Sequence, residues 1–305
     1  MAIVLGSNQY GKAEVRLVHV DRSTPTHLIT DINVTSQLIG DFDDTHLTGA
    51  NDKVIATDTQ KNTAYALARK GGVPSIEEFA LRLARNYVGT YDYVTGARME
   101  VEQYSWDRID TAAGPHDHSF TKGPGAVRNT VVRKDADTET VISGVTKLVV
   151  LKSTGSEFHG FPDVPYTSLV ETDDRVMATS VSARWLYGNT KAGAAATIEL
   201  DWNAAFESVK AIMLEQFALV HSLSLQQTLF AMGRSVLEAH PEIVEIRLSM
   251  PNIHHFVVDL SKWELDNPNL VFYAADRPYG LIEAAVVRDD APASAGAWDG
   301  VAGFV

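Results

Sequence analysis

The sequence predicts an α+β protein made of two units with the same order of elements. Its strand-like segments alternate apolar and polar side chains, which is typical of antiparallel sheets with one buried face. The order of strand pair, two helices and strand pair then occurs twice along 305 residues, a length that suits roughly two domains. We place the boundary near residue 137, within a polar run, and predict domains of 1–137 and 138–305.

In the first half, alternation over 13–20 and 28–38 predicts two half-buried strands. A helix is predicted to start at Asp58 or Thr59 and to stop at a glycine pair. A capping box that begins at Ser75 predicts a second helix, whose apolar face carries Ile76, Phe79, Leu83 and Tyr87. Further strands are predicted near 91–94, 100–106 and 126–132.

The second half predicts strands at 141–151, 177–185 and 197–202, then a helix over about 203–220. A second capping box begins at Ser224 and opens a helix that ends before Pro241. Strands near 243–249 and 255–260 complete the unit.

Composition excludes several classes of function. The chain has no cysteine, so Cys-ligated zinc, iron–sulfur clusters and thiolate nucleophiles are excluded. A net charge of −13 argues against nucleic acid as a partner. No apolar stretch approaches the about 20 residues of a membrane helix, no signal peptide pattern is present, and the last residues are not the peroxisomal Ser-Lys-Leu signal. These features predict a cytoplasmic protein of bacterial type.

The most informative segment covers 148–175. An apolar strand pattern leads into a stretch rich in Ser and Thr, where hydroxyls and one glycine can direct backbone donors outward. Phe158, Phe161 and Tyr166 follow, and Arg175 ends the segment. An aromatic face beside a guanidinium fork suits a planar, oxygen-rich, anionic ring.

This segment resembles, without a gap, the signature segment of the urate oxidase (uricase) family. Five further blocks resemble the same family in the family's order, at 8–18, 56–65, 224–233, 250–260 and 271–280. The resemblance implies two tandem tunnelling-fold (T-fold) domains, with antiparallel sheets and helices on one face. It also implies that subunits pair into a β-barrel around a central channel and that two such barrels stack as a homotetramer.

The activity that the resemblance implies is oxidation of urate by dioxygen to 5-hydroxyisourate and hydrogen peroxide, without a cofactor. Lys12, Thr57 and His254 match the family's catalytic proton relay. Arg175 and Gln226 would grip the edges of urate, and Phe158 would stack on its ring. The implied binding set is Thr57, Asp58, Phe158, Arg175, Leu225 (through its backbone), Gln226 and Asn252, with Asn252 holding dioxygen or water.

The resemblance further implies that each site is shared between chains. Lys12, Thr57 and Asp58 would come from one subunit and the remaining site residues from its neighbour. Unpaired strand edges, which a single subunit cannot close, give a physical reason for such pairing.

The residue types leave other interpretations open. Asp58 at a helix entry is explained equally well by N-capping, although free N–H groups there also attract anions. Gln226 offers a donor and an acceptor in one plane. Asn252 and His254 are predicted in a loop after a strand, where histidine is commonly structural. Ile253 and His255 depart from the family's usual residues, which bears on fine tuning of the relay.

His116, Asp117 and His118 resemble metal ligands and are predicted in a loop after Gly114 and Pro115. Adjacent ligands seldom complete a zinc site without a further element, and the matching loop of the family carries no catalytic metal. No metal is therefore predicted. The sequence also lacks the glycine-rich turn of dinucleotide-binding proteins, in keeping with a reaction that uses no cofactor.

Two rival functions remain on this fold. A zinc-dependent pterin cyclohydrolase would need cysteine ligands, but a cofactorless pterin aldolase would not; it would leave Lys12, Thr57 and His254 unexplained. The second rival is a non-catalytic, barrel-forming binding protein that retains the scaffold.

Overall fold

The computed structural model describes residues 1–188, 200–291 and 296–301, apart from the side chain of Asp276. The chain divides into two compact units. The first comprises Met1–Gly144, Leu186–Ala205 and Ala293–Asp299. The second comprises Val145–Trp185, Phe206–Pro292 and Gly300–Val305. The predicted boundary near residue 137 lies in the turn between two strands, whereas the compact units divide at Gly144.

The first unit is an antiparallel sheet, and its helices lie in the connection between the second and third strands along the chain. Its strands are β1 (Tyr10–Asp21), β2 (Leu28–Gly40), β3 (Val94–Thr111), β4 (Gly114–Asp135) and the start of β5 (Glu139–Lys152), in the order β1-β2-β3-β4-β5. The helices are α1 (Asp43–Leu47), α2 (Thr57–Gly71) and α3 (Ile76–Thr90).

Helix α3 supplies much of the core of this unit. Its N-cap is Ser75, whose hydroxyl accepts a hydrogen bond from the N–H of Glu78 at 3.1 Å. The predicted apolar face is confirmed, because Ile76, Phe79, Leu83 and Tyr87 are all fully buried. This face contacts β3 and β4, so the helix covers one side of the sheet.

The second unit contains the end of β5, most of β6 (Met177–Tyr187), most of α4 (Trp202–Leu219), α5 (Leu225–Ala239) and four further strands. The sheet order is β5-β6-β7-β10, while β8 pairs with β6 and with β9. A short 3-10 helix, Ser261–Trp263, follows β8. The four strands are β7 (Ile243–Ser249), β8 (Asn252–Val257), β9 (Phe272–Gly280) and β10 (Glu283–Val287).

The predicted α+β class and the repeated order of elements are confirmed, and several local predictions were wrong. Residues 91–93 form a turn after α3 rather than a strand, because the N–H of Val94 bonds back to Tyr91 at 3.0 Å. The segments 100–106 and 126–132 belong to the much longer β3 and β4. Helix α1 and strands β9 and β10 were not predicted from the sequence.

Two further predictions fail near chain turns. The strand predicted at 197–202 lies partly outside the described residues, and Trp202 begins α4 instead. Asp201 favours that helix start, because its carboxylate accepts from the N–H groups of Asn203 and Ala204. The loop predicted at 116–118 is part of β4. Among the described residues, no helix is both long enough and apolar enough to cross a membrane.

Candidate active site

Lys12 lies in β1 beside two backbone irregularities. Gly11 passes so close to β2 that an added Cβ would lie 1.7 Å from the carbonyl oxygen of Ser36. Directly after Lys12, a β-bulge shifts the register, and Glu14 adopts a left-handed φ of 60°. Bulges redirect side chains and recur beside active sites. The local backbone therefore sets where the partly buried Lys12 points.

A buried hydrogen-bond network joins this part of β1 to the start of α2. The hydroxyl of Ser36, which is paired with Lys12 in the sheet, donates to Gln60 Oε1 at 2.7 Å. Gln60 Nε2 in turn donates to the carbonyl of Ile55 at 3.3 Å, and the Tyr10 hydroxyl accepts from the N–H of Ile55 at 2.8 Å. Lys12 and the entry to α2 are thus held in one rigid arrangement.

Thr57 and Asp58 are the first residues of α2, and the N-cap is Ala56, which has no capping side chain. The interpretation of Asp58 as an N-cap is therefore wrong. Its carboxylate pairs with Lys61 and accepts from Asn62 at 3.0 Å. The hydrogen bond from Lys61 chiefly lowers the pKa of Asp58, and the charge of Lys12 contributes less. Thr57 is exposed at a helix end whose first N–H groups lack intrahelical acceptors.

In the second unit, residues 155–158 form the middle one of three short extended segments that hydrogen-bond side by side. We call this arrangement the junction. On one side, Phe158 exchanges two backbone hydrogen bonds with Thr172, and the N–H of Arg175 bonds to Ser156 O at 2.9 Å. On the other side, Ser222 bonds to Gly155 and to Glu157, both at 2.9 Å. The junction places Phe158, Arg175 and the chain entering α5 around one short segment.

Arg175 lies against the Phe158 ring, with its guanidinium carbon 5.1 Å from the ring centroid. Its Nε donates to Ser156 Oγ at 3.1 Å, and burial lowers its pKa. No hydrogen bond or carboxylate within the described part of the chain engages its two terminal nitrogens. Phe158 stacks on Phe161 at 5.2 Å and 15°. This arrangement presents a flat aromatic surface beside a free, charged fork.

Lys152 adds a second cation beside Arg175. Its Nζ donates to the carbonyl of Val220 at 2.6 Å and to Ser222 Oγ at 2.8 Å. Burial lowers the pKa of Lys152, and the Arg175 charge lowers it further. Neither Lys152 nor Ser156 was predicted as a site residue, although both lie in the hydroxyl-rich stretch of the signature segment.

Asn252 and His254 lie in strand β8, so their prediction as loop residues was wrong. Asn252 is paired with the fully buried Thr179 of β6. The His254 ring stacks on Phe256 at 5.5 Å. Burial chiefly lowers the pKa of His254, and the positive charge of Arg175 also contributes.

Leu225 and Gln226 open helix α5. The N-cap Ser224 accepts from the N–H of Gln227 at 3.1 Å, as the predicted capping box requires. Leu225 is buried and anchors the helix start, while the Gln226 side chain is exposed. The first turn of α5 therefore offers an amide and helix-terminal N–H groups together.

The predicted site residues thus divide into two sets. Lys12, Thr57 and Asp58 are brought together in the first unit. The second unit contains Phe158, Arg175, Leu225, Gln226, Asn252 and His254.

Two groups of histidine and acidic side chains have the residue types of metal ligands. His116 and His118 rings lie 4.5 Å apart on β4, and Asp117 accepts from Thr26 at 2.7 Å. Glu157, His159 and Asp173 have ligand atoms within 4.8 Å of one another. Within this cluster His159 lies 2.9 Å from Asp173, and Glu157 lies 3.0 Å from His221. Such exposed acidic groups are common in proteins without a bound ion.

Comparison with known proteins gives a consistent result. The family model described as Uricase matches residues 8–133 and 141–283. A uricase from Arthrobacter globiformis is 53% identical over 302 residues, covering 99% of this chain and 96% of that protein. A uricase from Dictyostelium discoideum is 37% identical over 284 residues, covering 92% of this chain and 96% of that protein.

Solved structures agree with these relatives. The crystal structure of the uricase from Arthrobacter globiformis matches with a TM-score of 0.91 at 52% identity, covering 98% of this chain and 100% of that one. A uricase from Bacillus fastidious matches with a TM-score of 0.76 at 21% identity, covering 92% of this chain and 94% of that one. The second match bears on the fold alone.

Proposed function

Because the chain belongs to the uricase family, we propose that it oxidises urate with dioxygen and water to 5-hydroxyisourate and hydrogen peroxide. Two electrons pass from urate to dioxygen, which takes up two protons, and the oxygen of water is added to the ring. The observation that carries the proposal is the Arg175 fork, which lies beside the Phe158 ring and whose terminal nitrogens have no hydrogen-bond partner among the residues that the structure describes. A planar anion with paired oxygen and nitrogen acceptors suits this fork.

We assign binding to the second unit. Phe158 stacks on the urate ring, Arg175 and Gln226 bind its edges, and the backbone at Leu225 contributes a donor. Arg175 and Lys152 provide a local positive field despite the net charge of −13, because nearby charges in a partly dry site outweigh distant, screened ones. Asn252 holds dioxygen or the attacking water over the ring.

We assign proton movement to Lys12, Thr57 and His254. The lowered pKa of His254 favours its neutral form, which can accept a proton from water or substrate near neutral pH. The Thr57 hydroxyl can both accept and donate, and Lys12 supplies the charged end of the relay. Asp58 contacts the substrate through the N–H groups at the start of α2.

We propose that the working form is a homotetramer whose sites each combine residues from two chains. Exposed apolar side chains support a partner chain covering these surfaces, including Val149 and Leu151 of β5 and Phe256 of β8. Residues 1–137 and 138–305 are the proposed T-fold domains.

The direct test is to follow the near-ultraviolet absorbance of urate together with dioxygen uptake and peroxide release. Purified protein should consume urate only when dioxygen is present, with one peroxide per urate. Binding without consumption would instead support the non-catalytic protein, and cleavage of a dihydropterin without urate turnover would support the aldolase.

A chelation experiment tests the absence of a catalytic metal. We expect activity to survive extensive chelation and elemental analysis to find no stoichiometric metal, because adjacent His and Asp residues such as 116–118 seldom complete a metal site without a further element. Loss of activity that one divalent metal restores would contradict the cofactor-free proposal.

A further inference from the structure

Ser156 is a fully buried hydroxyl in contact with the substrate-binding arginine. Its Oγ accepts from Arg175 Nε at 3.1 Å and donates to Met177 Sδ at 3.6 Å. A hydroxyl has one proton to donate and lone pairs to accept. Because that proton is directed to Met177, a lone pair is available to Arg175.

The backbone around Ser156 is fixed from both sides. Ser156 O accepts from the N–H of Arg175 at 2.9 Å, and its chain neighbours Gly155 and Glu157 bond to Ser222. Lys152 holds Ser222 through a further hydrogen bond of 2.8 Å. These hydrogen bonds therefore hold the Ser156 hydroxyl in a fixed position.

We propose that Ser156 is a positioning residue that sets the direction of the Arg175 fork. The inference rests on the proposed binding of urate by Arg175. An arginine can bind a planar acceptor pair through Nε and one terminal nitrogen, or through both terminal nitrogens. Since Ser156 occupies Nε, only the edge formed by the two terminal nitrogens faces the substrate. The site therefore selects ligands that present two acceptors to that edge.

The test compares Ser156→Ala with Thr154→Ala. Thr154 is a matched control, because its hydroxyl donates to Asp174 Oδ1 at 2.8 Å. This bond joins the segment that contains Ser156 to the segment that contains Arg175, without contacting Arg175. For Ser156→Ala we expect KM, and the Kd for urate measured without dioxygen, to rise about 10-fold, the scale of one charge-assisted hydrogen bond. We expect kcat to change less than about twofold. Thr154→Ala should leave all three values unchanged.

A double-mutant cycle separates positioning from general structural support. Arg175→Lys removes the Nε donor, so adding Ser156→Ala to that variant should weaken binding no further. Equal losses in both backgrounds, or a fall in kcat with unchanged KM, would overturn the proposal. If Ser156→Ala folds poorly, Ser156→Cys serves instead, since its weaker acceptor should give an intermediate rise in KM.

A readout without substrate distinguishes this inference from the proposed function. In wild-type protein the Nε–H of Arg175 should exchange slowly in NMR spectra, and in Ser156→Ala it should exchange at least about 10-fold faster because its acceptor is lost. A wild-type protein that neither binds nor oxidises urate would contradict the proposed function. A Ser156→Ala variant indistinguishable from Thr154→Ala, in an active enzyme, would contradict only the role of Ser156.

Discussion

Arg175 and Lys12 are both cations of the candidate site, but their surroundings differ. Arg175 lies in a junction of short extended segments, over the Phe158 ring, and no carboxylate of the described ranges pairs with it. Lys12 lies on a strand beside a bulge, close to the start of a helix. The first arrangement suits the binding of an anion and the second suits proton transfer next to a helix end.

The two roles predict different kinetic effects. Arg175→Ala should weaken urate binding by roughly 2–4 kcal/mol, because a charge-assisted, partly desolvated contact is lost. Lys12→Met and Thr57→Ala should lower kcat by about 10²–10⁴ with smaller effects on binding. Steady-state kinetics combined with urate titration in the absence of dioxygen measures both quantities. Wild-type turnover in Thr57→Ala would remove Thr57 from the mechanism.

The environment of His254 predicts a pH effect. Burial and the Arg175 charge lower its pKa below 6.5, so the folded protein releases the imidazole proton more readily than the unfolded chain does. Stability that is present above about pH 6.5 is therefore lost as pH falls toward the folded pKa. In Arg175→Met the pKa should rise only part of the way to 6.5, because burial is the larger cause. NMR titration of the His254 ring measures it, and an unchanged pKa would exclude the influence of Arg175.

At the scale of elements, serine caps begin one long helix in each unit. Ser75 opens α3 and Ser224 opens α5, and each hydroxyl accepts an N–H hydrogen bond of 3.1 Å. Both helices carry core residues, but only the first turn of α5 also carries the candidate site residues Leu225 and Gln226. The same serine cap therefore supports core packing in both units and, in the second unit, also the position of a proposed binding group.

The two N-cap serines predict separable effects on the free energy of unfolding and on urate binding. Ser75→Ala and Ser224→Ala should each cost about 1 kcal/mol of unfolding free energy. Only Ser224→Ala should also raise KM for urate, because fraying of the first turn displaces Gln226. Thermal or denaturant unfolding and kinetics on both variants provide the comparison. A similar rise in KM for Ser75→Ala would show that general destabilisation is the cause.

At the scale of the whole molecule, the proposed site residues are divided between the two compact units. In the proposed assembly, the first-unit residues of one chain meet the second-unit residues of another chain. Lys12 and Thr57 belong to the first unit, and Arg175 and His254 to the second. Closed oligomers with rotational symmetry repeat such a shared site at every equivalent interface. Each chain would then contribute its first-unit residues to one site and its second-unit residues to another.

Complementation tests this division. Thr57→Ala and Arg175→Ala chains should each be nearly inactive alone. Co-expressed in equal amounts, they should recover roughly a quarter of the sites, those that draw Thr57 from one variant and Arg175 from the other. A chain with both substitutions, co-expressed with Thr57→Ala, should recover none. No recovery in proven mixed oligomers, or full activity in a stable monomer, would show that one chain builds the site.

The sequence by itself determined the α+β class, the repeated order of elements, the helix starts at Ser75 and Ser224, and the family blocks that name the candidate residues. These features depend on periodicity and on contacts a few residues apart. The length of β4, the strand at Asn252, the contact of Ser156 with Arg175 and the lowered pKa of His254 were decided only by the tertiary structure. Each depends on distant residues brought together, as when Lys152 bonds to Val220 across 68 positions. Such contacts leave no local pattern, because burial and charge are properties of the folded chain.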